Sequence, residues 1–203
     1  MRLFIAIELP PHIKTALKAI QAGVPGARWI APENMHLTMR FLGESDGPQA
    51  EDLVYELRRI DWHSFEITLA GAGQFSGGAG AKTLWMGVEP QEPLVALQAK
   101  VERACRRSGF TADQKAFTPH ITLARFSYPP ELESTRHFLQ SYGRFQREPF
   151  RISGFSLFSS ELRPKGPIYR IEADFPFSDA GVGDSPFFGD WEAAAQAKPL
   201  RTK

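Results

Sequence analysis

His36-Leu37-Thr38-Met39 and His120-Ile121-Thr122-Leu123 are one four-residue pattern written twice, 84 residues apart, and each is followed shortly by Arg and Phe (Arg40-Phe41, Arg125-Phe126). A recurrence of this kind constrains the fold more than any local propensity, because it implies a duplicated unit. Comparable spacings return elsewhere. Leu3-Phe4-Ile5-Ala6-Ile7-Glu8 lines up with Leu84-Trp85-Met86-Gly87-Val88-Glu89 at an offset of 81, Phe65-Glu66-Ile67-Thr68 with Phe150-Arg151-Ile152-Ser153 at 85, and Leu84-Trp85-Met86 with Ile168-Tyr169-Arg170 at 84. Drift of a few residues is what loops of unequal length leave in such a unit.

Each unit reads as alternating strands and helices. A strand over 2–9 leads past Pro10-Pro11 into a helix with Ile13, Leu17 and Ile20 on one face. The first His-x-Thr strand comes next. A helix over 48–60 (Leu53, Leu57, Ile60) and strands over 64–70 and 83–89 follow. The second half repeats the order: a helix over 93–108, the second His-x-Thr strand over 117–126, a helix over 131–141, and strands over 149–158 and 167–175. The strand over 83–89 closes one lobe while opening the next. The expectation is an α+β protein, bilobal and internally duplicated, with two antiparallel-rich sheets flanked by helices about a central cleft. Residues 1–177 would form this single bilobal domain. Residues 178–203, rich in Gly, Ala and Asp, read as a flexible or loosely docked tail.

Composition narrows the function. With 24 Lys and Arg against 23 Asp and Glu, the chain lacks the basic excess that extended phosphate-backbone binding requires. A confined site with a few cations fits better. Cys105 is the only cysteine, so neither an intrachain disulfide nor a thiolate zinc cluster can form. The apolar start breaks at Glu8 and Pro10-Pro11, too early for a signal peptide or membrane span, and a cytoplasmic protein with no membrane association is expected.

In a strand, alternate side chains share a face. His36 therefore stands beside Thr38, and His120 beside Thr122, while Leu37, Met39, Ile121 and Leu123 point the other way. If a pseudo-twofold axis relates the halves, the polar faces meet across a cleft. Such a pair suits in-line displacement at phosphorus, with a base near the attacking oxygen and an acid near the leaving one; histidine fills either role near neutral pH. The Thr38 and Thr122 hydroxyls can donate to the non-bridging oxygens, and Arg125 adds a planar, permanently charged donor. No metal-binding pattern occurs, and no cofactor is implied.

Together with Arg2-Leu3-Phe4-Ile5-Ala6-Ile7-Glu8-Leu9-Pro10, Asn34 through Gly43, Pro119 through Arg125, and Leu157 to Tyr169, these motifs make residues 1–177 resemble the 2H phosphoesterases. Within them, they resemble the RNA 2′,3′-cyclic phosphodiesterases historically called 2′-5′ RNA ligases. The resemblance implies a bilobal fold with the site between the lobes and metal-independent opening of RNA 2′,3′-cyclic phosphate ends to 2′-phosphates. It implies His36 as proton donor and His120 as proton acceptor. Residue chemistry alone leaves the direction open. Partners would be RNA ends or nucleotides carrying the cyclic phosphate, acted on by a monomer. The competing readings are a 2H enzyme for a small cyclic nucleotide or ADP-ribose cyclic phosphate, and an RNA- or nucleotide-binding protein without turnover. Two retained proton-transfer groups speak against the last.

Other features have plainer explanations. The stretch 71–83 ends in Ala81-Lys82-Thr83 and leads into a strand, so it reads as a flexible hairpin loop and not a phosphate-binding loop. Cys105 among Arg103, Arg106 and Arg107 reads as a packed thiol on a solvated helix. His12, His63 and His137 lack a Thr two residues on. Phe4, Trp29 and Tyr169 are stacking candidates better assigned to the core. Arg163 and Lys165 are weaker candidates for contact with substrate.

Overall fold

The computed structural model describes residues 1–77, 80–163 and 166–179. Nine strands and four helices follow in the order β1 (Arg2–Glu8), α1 (Pro11–Ala19), β2 (Arg28–Trp29), a 3₁₀ turn at Pro32–Asn34, β3 (His36–Glu44), α2 (Gly47–Arg58), β4 (Phe65–Gly77), β5 (Gly80–Glu89), α3 (Glu92–Arg107), β6 (His120–Arg125), α4 (Leu132–Tyr142), β7 (Phe150–Ile152), β8 (Gly154–Arg163) and β9 (Gly166–Pro176). Helix starts follow local chemistry. Proline occupies the first turn of α1, α2 and α3, where a missing N–H costs nothing, and Asp46 caps α2 by accepting from the Gln49 N–H at 2.9 Å.

The strands run β7-β4-β5-β6-β3-β1-β8-β9, with β2 added beside β6, and the pairings are antiparallel. The two sheets expected from the repeat are the halves of this path, β3-β1-β8-β9 and β6-β5-β4-β7. They meet where Leu37 of β3 faces Ile121 of β6. The outer strands are exchanged: β4, from the first unit, lies beside β5 in the His120 half, and β8, from the second, lies beside β1 in the His36 half. β5 pairs with both β4 and β6, so it does connect the units.

One face of the sheet carries the main core. Leu3, Ile5 and Ile7 of β1, Leu37 and Met39 of β3, and Ile121 and Leu123 of β6 pack there with Ile13 and Leu17 of α1, Leu53 and Leu57 of α2, Leu97 and Val101 of α3, and Phe138 of α4. Burying such side chains is the dominant favourable term in folding. Phe4 and Ala6 point to the opposite face and form a second cluster with Phe158 and Tyr169. β1 is thus apolar on both faces, which is why its sequence reads as a continuous hydrophobic run.

Three of these expectations can be set beside the structure. The stretch read as a flexible loop over 71–83 is largely strand, since β4 and β5 continue through it with Gln74 opposite Leu84 and Phe75 opposite Thr83. Gly73 permits this because a Cβ there would stand 2.2 Å from the Trp85 ring. Secondly, Ser178 and Asp179 dock onto the domain: Ser178 donates to the Trp62 carbonyl, and Asp179 accepts from the Ser64 N–H at 2.7 Å and pairs with Arg151 at 3.5 Å. The rest of the expected tail, 180–203, lies outside the described residues.

Thirdly, β1 and β5 correspond at an offset of 79, not 81. Glu8, Ile7, Ala6, Ile5 and Phe4 face His36, Leu37, Thr38, Arg40 and Phe41, while Gly87, Met86, Trp85, Leu84 and Thr83 face His120, Ile121, Thr122, Ala124 and Arg125. Side-chain direction repeats every two residues, so a hydrophobic pattern is blind to a slip of two.

Candidate active site

The antiparallel register around Leu37 and Ile121 builds the site. Carried one residue each way, it sets His36 opposite Thr122 and Thr38 opposite His120, all four on the face away from the main core. Leu37, Met39, Ile121 and Leu123 are buried, and the four polar side chains are half-buried. The two imidazoles stand on the diagonal of this square, where neighbouring positions lie about 7–8 Å apart and their Cβ atoms somewhat closer. Neither threonine hydroxyl has a hydrogen-bond partner among the described residues.

A bulge decides which arginine joins them. The β5–β6 register slips between Leu84 and Trp85, and the β1–β3 register slips at the equivalent point between Ile5 and Ala6. One extra residue reverses the alternation beyond it. Ala124 and Arg40 consequently turn to the helix side, and Arg125 and Phe41 return to the histidine face. Arg125 acts electrostatically on His36, His120 and Tyr169, and its guanidinium makes no hydrogen bond or ion pair among the described residues. Arg40 is a different kind of residue, 9% exposed and bonded to Glu102 at 2.7 Å.

The His120 Nδ1 lies 2.7 Å from the Thr118 carbonyl oxygen. A carbonyl only accepts, so Nδ1 carries the hydrogen and neutral His120 presents a bare Nε2. The Asn34 backbone, also two residues upstream, acts on the His36 ring in the direction that raises its pKa. Burial lowers the pKa of both rings, and Arg125 adds to it; for His36, with Lys14 and His120 also contributing, the result is about 4. Both imidazoles are therefore neutral at neutral pH.

Aromatic walls flank the pair. Phe4 stands 4.9 Å and Tyr169 5.4 Å from His36, with Phe158 stacked on Phe4 at 5.0 Å; Phe75 stands 4.8 Å and Trp85 6.1 Å from His120. Phe41, 58% exposed, marks the rim. Phe4 is a core residue, as expected, yet it also packs on a site histidine. Trp29 packs on Phe138, away from the site. The stacking candidates omitted Phe41, Phe75, Trp85 and Phe158, and in the sequence these look like ordinary strand residues. Glu8 was missed too. It faces His36, whereas the equivalent Gly87 leaves His120 without such a neighbour. Burial raises the Glu8 pKa, opposed by Lys14 and reinforced by Asp174.

His12, His63 and His137 are exposed, Arg163 pairs with Glu161, and Lys165 lies outside the described residues. Cys105 is buried, which pushes its thiol up to about 12 and leaves it unreactive. Among the described residues no group of three His, Cys, Asp or Glu side chains stands where it could hold a metal, and no helix is long and apolar enough to cross a membrane.

Paired His-x-Thr strands on a duplicated scaffold point to a phosphoesterase class, and residues 9–163 match the model of the 2′-5′ RNA ligase superfamily. The chain belongs to that superfamily. It is 33% identical over 178 residues to the RNA 2′,3′-cyclic phosphodiesterase of Thermotoga maritima, covering 84% of this chain and 92% of that one, and 34% identical over 191 residues to its Thermus thermophilus namesake, covering 86% and 89%. Among solved structures, TT0787 of Thermus thermophilus superposes with a TM-score of 0.72 at 28% identity, and Escherichia coli LigT complexed with 3′-AMP with 0.71 at 27%; each covers 87% of this chain and 98% of its own.

Proposed function

We propose that this protein is an RNA 2′,3′-cyclic phosphodiesterase that opens the cyclic phosphate to a 2′-phosphate by two-histidine acid–base catalysis. The observation that carries the reading is the β3–β6 register, which gathers His36, Thr38, His120 and Thr122 on one face. Water attacks phosphorus as the bond to O3′ breaks. His120, with its bare Nε2, takes the proton of the water, and His36 gives its own proton to O3′. Arg125 and the two threonine hydroxyls bind the non-bridging oxygens, where charge accumulates. A monomer acting in the cytoplasm on RNA ends or nucleotides, without a cofactor, completes the reading.

The test is incubation with an oligonucleotide ending in a 2′,3′-cyclic phosphate, in EDTA, with the product isomer identified. A 2′-phosphate is expected, and His36→Ala or His120→Ala should each lose a factor of about 10² or more in turnover. Full activity in either variant, or a 3′-phosphate product, would remove the mechanism.

A further inference from the structure

The two histidine strands are paired at Leu37 and Ile121, and a second tie lies on the helix side of the sheet. Arg40, four residues after His36, spends its guanidinium on this tie. Nε donates to Glu102 of α3 at 2.7 Å, Nη1 to the Phe41 carbonyl at 2.6 Å and to Asp113 at 3.3 Å, and Nη2 to the Thr111 carbonyl at 2.5 Å. Glu102 uses its other oxygen to accept from the Asp113 N–H at 3.1 Å, and Asp113 in turn accepts from the Lys115 N–H at 3.1 Å.

Thr111 and Asp113 belong to 110–119, which leads from α3 into β6 without helix or strand of its own. A segment without a hydrogen-bond ladder takes its order from its anchors. Phe117 packs on the core and Pro119 is buried near one end; the Arg40–Glu102 pair holds the other. Thr118 of this segment is the residue whose carbonyl orients the His120 ring. Ala124, the counterpart of Arg40 in the second unit, has no side chain to make a matching tie.

We propose that Arg40 is a positioning residue, which by fixing the 110–119 segment to the His36 strand holds His120 in register with His36 across the cleft. The inference rests on the two-histidine reading. Its physical basis is that catalytic groups need placement to within about 0.5 Å, and a displacement of about 1 Å costs on the order of 10² in rate. The charged group acting on His120 is Arg125 on its own strand and the titratable neighbour is His36 on β3, while the β4–β5 side presents Phe75, Trp85 and Gly87.

The experiment compares Arg40→Met, Arg40→Lys and the milder Asp113→Asn with the parent chain in kcat, KM, the pH profile of kcat and the imidazole NMR resonances. Arg40→Met should lower kcat about tenfold with KM changed less than about twofold, shift the low-pH limb that His120 governs, and weaken the His120 Nδ1–H signal. Arg40→Lys should recover part of the loss, and Asp113→Asn should move the same readouts less far. A lower melting temperature with kcat, the low-pH limb and the His120 signal unchanged would overturn the proposal. So would an unfolded Arg40→Met together with an Asp113→Asn variant indistinguishable from the parent. Turnover surviving in His120→Ala would instead sink the two-histidine reading itself.

Discussion

Binding of the cyclic phosphate should draw a proton onto His36. Burial, Arg125, Lys14 and His120 hold this ring at a pKa of about 4, so at about pH 6.5 only roughly one molecule in 300 carries the imidazolium that a proton donor needs. The substrate supplies the missing charge. A phosphodiester monoanion about 4 Å from the ring, at an effective dielectric of about 20, favours the protonated form by about 4 kcal/mol, or about three pKa units. The bound ring would then titrate near 7, and binding at about pH 6.5 would take up roughly 0.75 proton. The sign is fixed: an anion raises the pKa, so affinity falls as pH rises through the bound value. The assay is calorimetric titration of the slow His120→Gln variant with a 2′,3′-cyclic mononucleotide in buffers of different ionisation enthalpy. Tight binding with uptake near zero would refute the reasoning, as would uptake persisting after His36→Gln is added.

Arg125→Ala removes a charge-assisted donor worth about 1.5–3 kcal/mol and should lower kcat/KM roughly 10- to 200-fold, with Arg125→Lys between that variant and the parent; unchanged kcat/KM would show that the guanidinium does not bind the phosphate. Gly73→Ala places a Cβ 2.2 Å from the Trp85 ring. Overpacking of about 1–3 kcal/mol should lower the melting temperature by several degrees, at about 2–4 °C per kcal/mol for a chain this size. An unaltered melting temperature would mean that Trp85 yields without cost.

The His-x-Thr strands, their buried partners and the helix order were legible because each is written in local periodicity: Leu37, Met39, Ile121 and Leu123 alternate with the polar positions, and Leu53 and Leu57 repeat at helical spacing. What stayed hidden depends on register. The local sequence makes Arg40-Phe41 look like the twin of Arg125-Phe126, whereas at the motif's own offset of 84 Arg40 corresponds to Ala124 and Phe41 to Arg125, and the bulges set which face each takes. A bulge is a feature of two strands together, and neither strand alone announces it. The same holds for Glu8 and Gly87, matched only once β1 slides two residues against β5, a slip that preserves every inward and outward position. The consequence is chemical. Two strands with identical motifs would make a symmetric site, unable to distinguish attacking from leaving oxygen. The residues beside the motifs make the ends unlike, with Glu8 opposite His36 and Gly87 opposite His120. The motif alone therefore finds the two histidines and leaves their roles undetermined.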